Sequence, residues 1–335
     1  MKIAIVTDAW FPHVSGVATT IKATKDELEL MGHTVLVIGP SDFKFRVPLP
    51  SYPEIELALF ADNALAKMLD AFNPDAIHIS VEGPLGMAAR GHCKKRKHSF
   101  TTAYHTMFPE YIHVRTGIPT SFFYAFAKWF HGGAIRTMVA TQLLKESLEK
   151  RGFKNLAFWT RGVDSSIFNT KDPLPLPGER PIFMYMGRVA VEKNLEAFLS
   201  LDLPGTKYIV GDGPARVKLE AKYPKTIFTG YKFGRELARH VAASDVFVFP
   251  SLTDTLGLVM LEANACGLPV AALPSHATET VIKEGVNGIV STDLKDACMR
   301  ALKLSREKVS EYALEFGWRK PTELFLNNLE ERAKR

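Results

Sequence analysis

VFVFPSLTDTLGLVMLEA, residues 246–263, is the stretch that decides how this chain folds. Four consecutive apolar residues, 246–249, are typical of a buried strand. Pro250-Ser251 interrupts the run, and apolar residues at helical spacing follow the polar loop. The order is therefore strand, loop and helix, the repeating unit of a parallel α/β sheet.

The loop in this stretch has the chemistry of a phosphate site. Asp254 is expected on the loop, Thr255 at or beside the helix N-cap, and Gly257 in the first turn. Free backbone N–H groups and the positive end of the helix dipole then converge on one point, which favours an anion. Glu262 follows about two turns later, near enough for two carboxylates to flank one ligand. An ordinary helix entry with an acid near its positive end fits the same spacing.

The chain before this stretch alternates strand and helix patterns. Apolar runs at 3–6, 34–38, 76–80 and 100–104 are separated by helical patterns, including 18–31, 63–71 and 84–95. This alternation predicts a doubly wound parallel sheet, whose ligands bind at the carboxyl ends of the strands. Asp8, Gly16, Glu82 and His105 each follow a strand and should share that edge.

Single residues at these strand ends carry specific expectations. A neutral imidazole at His105 can donate one hydrogen bond and accept another, which suits a ligand with hydroxyl groups; a capping or packing histidine is the alternative. Gly16 lets a ligand approach the backbone, or is simply a turn residue. After strand 182–186, Arg188 and Lys193 suit a diphosphate, or point to solvent. Gly211 follows the strand that contains 208–210, close to the expected phosphate site.

Composition narrows the class of protein. With 335 residues and 46% hydrophobic content, the chain is long enough for two domains. Its net charge of +6 suits an anionic ligand or an acidic membrane surface. Nucleic acid is disfavoured, because the basic residues are scattered. Three cysteines fit a reducing cytosol, and we find no signal peptide, membrane-spanning run or Asp-x-Asp metal pair.

Two segments have a possible relation to membranes. The basic run 94–98 ends a helix, where cations complement the dipole, but it could also attract anionic lipid. The aromatic, weakly basic segment 120–136 is compatible with an interfacial helix and equally with a core helix packed on the sheet.

Asp254, seven residues, Glu262-Ala263 and then Gly267-Leu268-Pro269-Val270 resemble the Glu-x7-Glu motif of retaining glycosyltransferases of family 4, which have the GT-B fold. Asp254 replaces the usual first Glu. Further motifs are similar: Ser15-Gly16-Val17 for a Gly-Gly-Val loop, His105-Thr106, Arg161-Gly162-Val163-Asp164 where Asn is usual at the first position, and Gly187-Arg188 with Glu192-Lys193-Asn194. Residues 47–60 resemble a subset of the family that glycosylates membrane lipids.

The resemblance implies two Rossmann-like doubly wound α/β domains facing across a cleft. Their expected limits are 1–166 for acceptor binding and 167–312 for nucleotide-sugar binding, with a C-terminal helical segment, 313–335, that crosses back to the first domain. The implied catalytic residues are His105, Asp254, Arg188 and Lys193. The implied donor-site residues are Gly16, Arg188, Lys193, Gly211, Thr255, Leu256, Gly257 and Glu262. The implied acceptor-side residues are Asp8, Ser15, Gly16, Tyr52 and Tyr104.

The implied function is retaining, metal-independent transfer of a hexosyl or hexuronosyl group from a UDP- or GDP-linked sugar to a lipid such as diacylglycerol. No cofactor is expected. The expected partners are the nucleotide sugar, the lipid acceptor and an anionic membrane surface, which places the protein at the inner face of the cell membrane. Transfer to a soluble or polysaccharide acceptor, nucleotide-sugar epimerisation and a non-catalytic nucleotide-binding module are the alternatives.

Overall fold

The computed structural model describes residues 1–12, 15–49 and 52–329, which form two compact units. The first unit contains residues 1–109, 118–161 and the chain from 318 onward. The second contains residues 110–117 and 162–317. The units therefore change at 161/162 and 317/318, while the limits expected above, 166/167 and 312/313, stay sequence predictions.

The first unit is built on a six-stranded parallel sheet with the strand order β2-β1-β5-β6-β7-β8. A separate antiparallel hairpin is formed by β3 and β4. The strands are β1 Lys2–Val6, β2 Thr34–Ile38, β3 Arg46–Leu49, β4 Tyr52–Ala58, β5 Ala76–Ile79, β6 Thr101–Ala103, β7 Arg136–Val139 and β8 Leu156–Phe158. The helices are α1 Gly16–Leu30, α2 Asp62–Phe72, α3 Pro84–Arg96, α5 Thr120–His131 and α6 Gln142–Lys150. Helix α4, Phe108–Thr116, begins in this unit, but its residues from 110 onward belong to the second unit.

The second unit has the same architecture, with the strand order β11-β10-β9-β12-β13-β14. Its strands are β9 Ile182–Met186, β10 Thr206–Val210, β11 Ile227–Gly230, β12 Val246–Phe249, β13 Val270–Ala272 and β14 Gly288–Val290. Its helices are α7 Leu195–Leu199, α8 Arg216–Lys222, α9 Gly234–Ala242, α10 Leu258–Ala265, α11 His276–Val281, α12 Leu294–Ala301 and α13 Arg306–Ala313. The last helix, α14 Arg319–Asn328, belongs to the first unit, where it packs against α1.

Burial explains why the central strands form. All residues of β9 and β12 are buried, and so are the last four of β1, as in a sheet covered by helices on both faces. The strand order reverses between β1 and β5 in the first sheet and between β9 and β12 in the second. Such reversal points leave a crevice at the carboxyl ends of the two strands, where ligands bind in this architecture.

Several helix limits differ from those expected. Helix α1 begins at Gly16 rather than Ala18, because the Ser15 side chain caps it by accepting from the amide of Ala18 at 3.2 Å. The aromatic segment is helical only to His131, and Gly132-Gly133 follows. The C-terminal helical segment expected over 313–335 is interrupted at Gly317, which has extended backbone dihedrals.

None of the helices within the described ranges is both long enough and apolar enough to cross a bilayer.

Candidate active site

In the second unit, a buried ion pair joins the loop after β9 to the loop after β12. The Nζ atom of Lys193 donates to Oδ1 of Asp254 at 2.6 Å, and both side chains are mostly buried. Burial opposes the charged ammonium, but the neighbouring Asp254 carboxylate outweighs it and raises the pKa of Lys193 well above its usual value. Two residues that the sequence analysis assigned to one site are thus in direct contact.

Further hydrogen bonds fix these two loops to each other. The Asn194 amide donates to the carbonyl of Pro250 at 3.1 Å. The Thr253 hydroxyl donates to the carbonyl of Glu192 at 3.3 Å. The loops thus form one platform at the carboxyl ends of two adjacent strands, at the point where the strand order reverses.

Helix α10 begins one residue after Gly257, which corrects the expected position of the helix start. Gly257, not Thr255, is the N-cap residue, and it adopts the left-handed conformation with φ of 74°. A Cβ atom at Gly257 would also lie 2.8 Å from Met260 Cε and 2.9 Å from Phe249 Cζ. This position therefore requires glycine for both its dihedrals and its packing.

The start of α10 presents a row of available donors. Among the residues that the structure describes, no acceptor is found for the backbone N–H groups from Leu256 to Val259. Asp254 lies on the loop just before this helix, and Lys193 contacts it from the loop after β9. Together, the amides and the ammonium form the kind of site that holds a phosphate group.

Glu262 lies on the second turn of α10 and is only 9% exposed. Burial alone raises the pKa of its carboxyl to about 7. Within residues 1–12, 15–49 and 52–329, no side chain or amide donates a hydrogen bond to this carboxylate. A ligand with hydroxyl groups would supply the donors that the protein does not.

Arg188 and Gly211, the other residues expected near the phosphates, follow β9 and β10. Arg188 is half-buried, and its carbonyl accepts from the Tyr185 hydroxyl at 3.0 Å. A Cβ atom at Gly211 would lie 1.8 Å from the Gly187 carbonyl oxygen. Close packing of two backbone segments therefore explains this glycine without any ligand.

Tyr111 is a residue of this site that the sequence analysis missed. It belongs to the second unit through segment 110–117, and its ring centroid lies 5.8 Å from Lys193 Nζ. Burial raises the pKa of its hydroxyl to about 12. No motif marked it, because the segment follows the first six strands in a region whose sequence shows only ordinary helical spacing.

In the first unit, Asp8 lies at the carboxyl end of β1 and caps helix α3. Its carboxylate accepts from the amides of Leu85 at 3.0 Å and Gly86 at 3.2 Å. Burial raises the pKa of Asp8 to about 6, although both amides act in the opposite direction. The carboxylate expected to face the acceptor is thus held by the protein itself.

His105 follows β6 and is buried at the same edge of the sheet. Its Nδ1 accepts from Nη2 of Arg161 at 3.0 Å. Burial and then the charge of Arg161 lower the pKa of this imidazole well below its usual value. His105 is therefore the neutral imidazole that the sequence analysis expected.

Ser15 and Gly16 start helix α1 after β1, Ser15 as the N-cap and Gly16 as an exposed first residue. Among the described residues, none lies within 4 Å of a Cβ atom added at Gly16, and the residue is not in the left-handed region. Nothing in this part of the structure requires glycine at the position.

The two tyrosines expected on the acceptor side have different outcomes. Tyr104 is 1% exposed and packs edge-on against Phe153 with ring centroids 6.0 Å apart. An apolar cluster encloses the ring, and the acceptor contact predicted for Tyr104 stays a prediction. Tyr52 begins β4, and its side chain lies outside the described part of the structure.

A second acid at this edge, Glu82, forms a buried pair that the sequence analysis missed. Its Oε1 atom lies 2.9 Å from Nε2 of His131, and Nδ1 of His131 lies 2.9 Å from the Thr102 hydroxyl. Glu82 is also close enough to Asp8 to disfavour its ionisation. The position of Glu82 after a strand was a signal, whereas nothing in the sequence distinguished His131 from the aromatic residues around it.

The described residues contain no group of three or more His, Cys, Asp or Glu side chains that could hold a metal ion. The second unit offers a cation, backbone amides and two carboxylates. Such an arrangement can neutralise a diphosphate and accept from hydroxyl groups on either side of it.

Comparisons with known proteins agree with this reading. Residues 14–167 match the family profile described as "Glycosyltransferase Family 4", and residues 180–305 match the one described as "Glycosyl transferases group 1". A GDP-mannose-dependent alpha-mannosyltransferase of Mycobacterium tuberculosis is 30% identical over 87% of this chain and 83% of its own. An alpha-monoglucosyldiacylglycerol synthase of Acholeplasma laidlawii is 26% identical over 86% of this chain and 84% of its own.

Among solved structures, sucrose-phosphate synthase from Thermosynechococcus elongatus has the same fold. Its TM-score is 0.78, with 17% sequence identity and 97% of each chain covered. At this identity the similarity concerns the fold alone.

Proposed function

Since this chain is a member of glycosyltransferase family 4, we propose that it transfers a hexosyl or hexuronosyl group from a UDP- or GDP-linked sugar to a lipid acceptor such as diacylglycerol. In this proposal the second unit binds the donor at the platform formed by the loops after β9 and β12. The first unit binds the acceptor at the carboxyl edge of its own sheet.

One observation carries the assignment of the donor site: Lys193 and Asp254 are paired at 2.6 Å on the loops next to the start of α10, where the amides of Leu256 to Val259 find no acceptor among the described residues. The ammonium and the amides are complementary to a diphosphate. The buried Glu262 carboxylate, two turns along α10, accepts from the ribose hydroxyls. Asp254 accepts from a hydroxyl of the sugar when the diphosphate takes over its contact with Lys193.

The reaction breaks the bond between the anomeric carbon and the diphosphate oxygen and forms a bond to the acceptor hydroxyl oxygen. Lys193, Arg188 and the amides stabilise the negative charge that develops on the leaving diphosphate. We propose that the acceptor proton passes to this diphosphate, that attack occurs on the same face of the sugar, and that configuration is retained. The stabilising groups are all protein donors, so the proposal requires no metal.

A lipid acceptor is supported by the names of relatives and by an apolar surface on the first unit. The monoglucosyldiacylglycerol synthase similar to this chain acts, by its name, on a diacylglycerol lipid. In this chain Phe122 is 70% exposed and its ring contacts that of Phe123, which in turn contacts Phe108. We call these three rings the aromatic patch. The basic residues 94–97 end a helix of the same unit.

Exposed aromatic rings together with cations are typical of proteins that bind an anionic bilayer from one side. We therefore propose that the protein associates peripherally with the cytoplasmic face of the cell membrane. Liposome flotation of the Phe122→Ser variant tests this: flotation with anionic vesicles should fall severalfold. The Leu314→Ser variant, which changes a residue that is 67% exposed on the second unit, should float like the unmodified protein. Equal flotation of all three proteins would contradict the patch assignment.

Activity is tested in two steps, beginning with the donor. Thermal stability is measured with a panel of UDP- and GDP-sugars, because a ligand at 100 times its Kd adds about 2.7 kcal/mol to stability. The stabilising donor is then incubated with vesicles that contain diacylglycerol, with and without EDTA. We expect a glycolipid whose anomeric linkage matches that of the donor, in equal yield with the chelator.

Each other outcome excludes part of the proposal. Product with an inverted anomeric centre contradicts retention, and loss of product with EDTA contradicts metal independence. Transfer only to soluble sugars contradicts the lipid acceptor. Conversion of the donor without any acceptor indicates an epimerase, and binding without conversion indicates a module that is not catalytic.

A further inference from the structure

Arg161 is a buried arginine at a position where the family resemblance leads us to expect asparagine. It is 5% exposed and follows β8 in the first unit. Its Nη1 atom donates to the carbonyls of Trp159 at 2.6 Å and Thr160 at 3.0 Å. The protein therefore holds a guanidinium away from solvent at a cost that the two carbonyl contacts only partly offset.

The third contact of this guanidinium is with His105. Nη2 of Arg161 donates to Nδ1 of His105 at 3.0 Å. A guanidinium has only donors, so Nδ1 must be the ring nitrogen that carries the lone pair. The proton of the neutral imidazole is then on Nε2. A protonated ring would place an N–H group against an N–H group and cannot keep this contact.

Trp159 holds both partners in place. The guanidinium carbon of Arg161 lies 4.1 Å from the centroid of the Trp159 ring, and the His105 ring meets the same indole edge-on at 5.5 Å. The geometry of the pair is therefore set by packing as well as by the hydrogen bond.

The surroundings of His105 all oppose a positive charge on the ring. Burial is the largest cause of its lowered pKa, followed by the charge of Arg161 and by His78 on β5 and His131 on α5. Burial also lowers the pKa of Arg161, to about 9. Because this value is still above neutral pH, the guanidinium stays charged there.

We propose that Arg161 is a positioning residue that fixes His105 as the neutral tautomer with its proton on Nε2. Resting on the proposed function, His105 then presents a hydrogen-bond donor of constant orientation to the sugar and takes no part as a general acid.

The test is NMR of the His105 ring nitrogens in protein labelled with 15N-histidine, with the signals assigned by the His105→Gln variant. We expect Nε2 protonated and Nδ1 unprotonated in the unmodified protein, without change from pH 8 down to about pH 5.5. Arg161→Met removes both the charge and the donor, so both tautomers should appear and the pKa of His105 should rise by about 1–3 units. Arg161→Gln retains a donor without charge, so the tautomer should persist while the pKa rises.

Arg90 provides a matched control. It is also buried in the first unit, donates to the carbonyls of Phe130 and Trp129, and stacks on the Trp129 ring at 4.0 Å. Arg90→Met should therefore disturb packing to a similar extent but leave the His105 tautomer unchanged. A proton on Nδ1 in the unmodified protein, or an unchanged single tautomer in Arg161→Met, would overturn the proposal.

A kinetic measurement separates this inference from the proposed function. Turnover of the unmodified enzyme should not fall at low pH through protonation of His105. Turnover of Arg161→Gln should fall at low pH, because its His105 ring can then be protonated. The NMR result does not depend on any activity. Absence of transfer would thus refute the proposed function while leaving the role of Arg161 to be decided by the tautomer.

Discussion

Replacing the buried carboxyl of Glu262 by the isosteric amide, Glu262→Gln, should stabilise the second unit in a manner that depends on pH. The pKa of this group is raised from 4.5 to about 7, a difference that corresponds to about 3 kcal/mol between the two protonation states. Burial is the only cause, and the side chain is 9% exposed, so solvent screening takes little from this value.

The sign follows from proton binding. Below pH 4.5 the carboxyl is protonated in the folded and the unfolded chain, and the folded unit keeps its full stability. Between pH 4.5 and about 7 the unfolded chain releases this proton while the folded chain holds it, so stability falls as pH rises. The amide does not titrate. The stability advantage of Glu262→Gln over the unmodified protein should therefore grow by about 2–3 kcal/mol from pH 5 to pH 8.

Urea unfolding at pH 5, 6, 7 and 8 measures this difference, and the chain offers an internal reference. All four tryptophans, at positions 10, 129, 159 and 318, belong to the first unit. Tryptophan fluorescence therefore follows the first unit, and circular dichroism follows both. Glu262→Gln should raise the urea midpoint of the second unit, which is seen by circular dichroism, and leave the midpoint seen by tryptophan fluorescence unchanged. Glu279→Gln, at an exposed carboxylate of the second unit, controls for loss of one charge. A stability gain for Glu262→Gln that is equal at pH 5 and pH 8 would refute the reasoning.

The same titration should govern nucleotide binding. In the proposed function, the Glu262 carboxylate accepts from hydroxyl groups and must be ionised to accept from both. Affinity for the nucleotide should fall as the pH drops below 7, by up to tenfold per unit, and calorimetry should show proton release on binding near pH 6. Glu262→Gln should bind more weakly and lose this pH dependence.

Three further substitutions test the site and the fold. Gly16→Ala has space for its methyl group and should stabilise helix α1 by about 0.5 kcal/mol. If a ligand approaches this backbone, the same substitution should lower kcat/KM at least tenfold. The control Gly91→Ala, at an equally open position in α3, should leave kcat/KM unchanged. Lys193→Ala should slow turnover by about a hundredfold, whereas Lys222→Ala, which breaks the exposed pair with Glu196, should not; comparable turnover of the two variants would remove Lys193 from the site. Gly211→Ala places a methyl group 1.8 Å from the Gly187 carbonyl oxygen and should destabilise the second unit by about 3 kcal/mol, visible as a lower urea midpoint by circular dichroism; an unchanged midpoint would show that the loop can move aside.

The sequence predicted most of what depends on local pattern. Strands β2 and β9 have the limits that their apolar runs indicate, and the two parallel sheets and the returning C-terminal helix are as expected. Lys193 and Asp254 are in contact because each follows a central strand, and neighbouring parallel strands bring such loops together. Spacing along the chain is sufficient for predictions of this kind.

Other features depend on which partner a side chain finds, and spacing does not specify that. Asp8 lies at the expected edge, but the amides at the start of α3 occupy its carboxylate. Tyr104 also follows a strand, yet its ring turns into the apolar cluster around Phe153. The partners of Glu82 and His105 come from residues 49 and 56 positions away along the chain, so no local pattern could have identified them.

The bond between Lys193 and Asp254 means that the unliganded platform carries its own counter-ion. A small inorganic anion must compete for Lys193 with the carboxylate of Asp254, which belongs to the same chain and cannot diffuse away. We therefore expect the platform to bind small anions weakly, although their size does not exclude them. In the proposed function, a diphosphate that also engages the amides of α10 displaces Asp254 from Lys193. After transfer of the sugar, we expect the return of Asp254 to Lys193 to assist departure of the nucleotide.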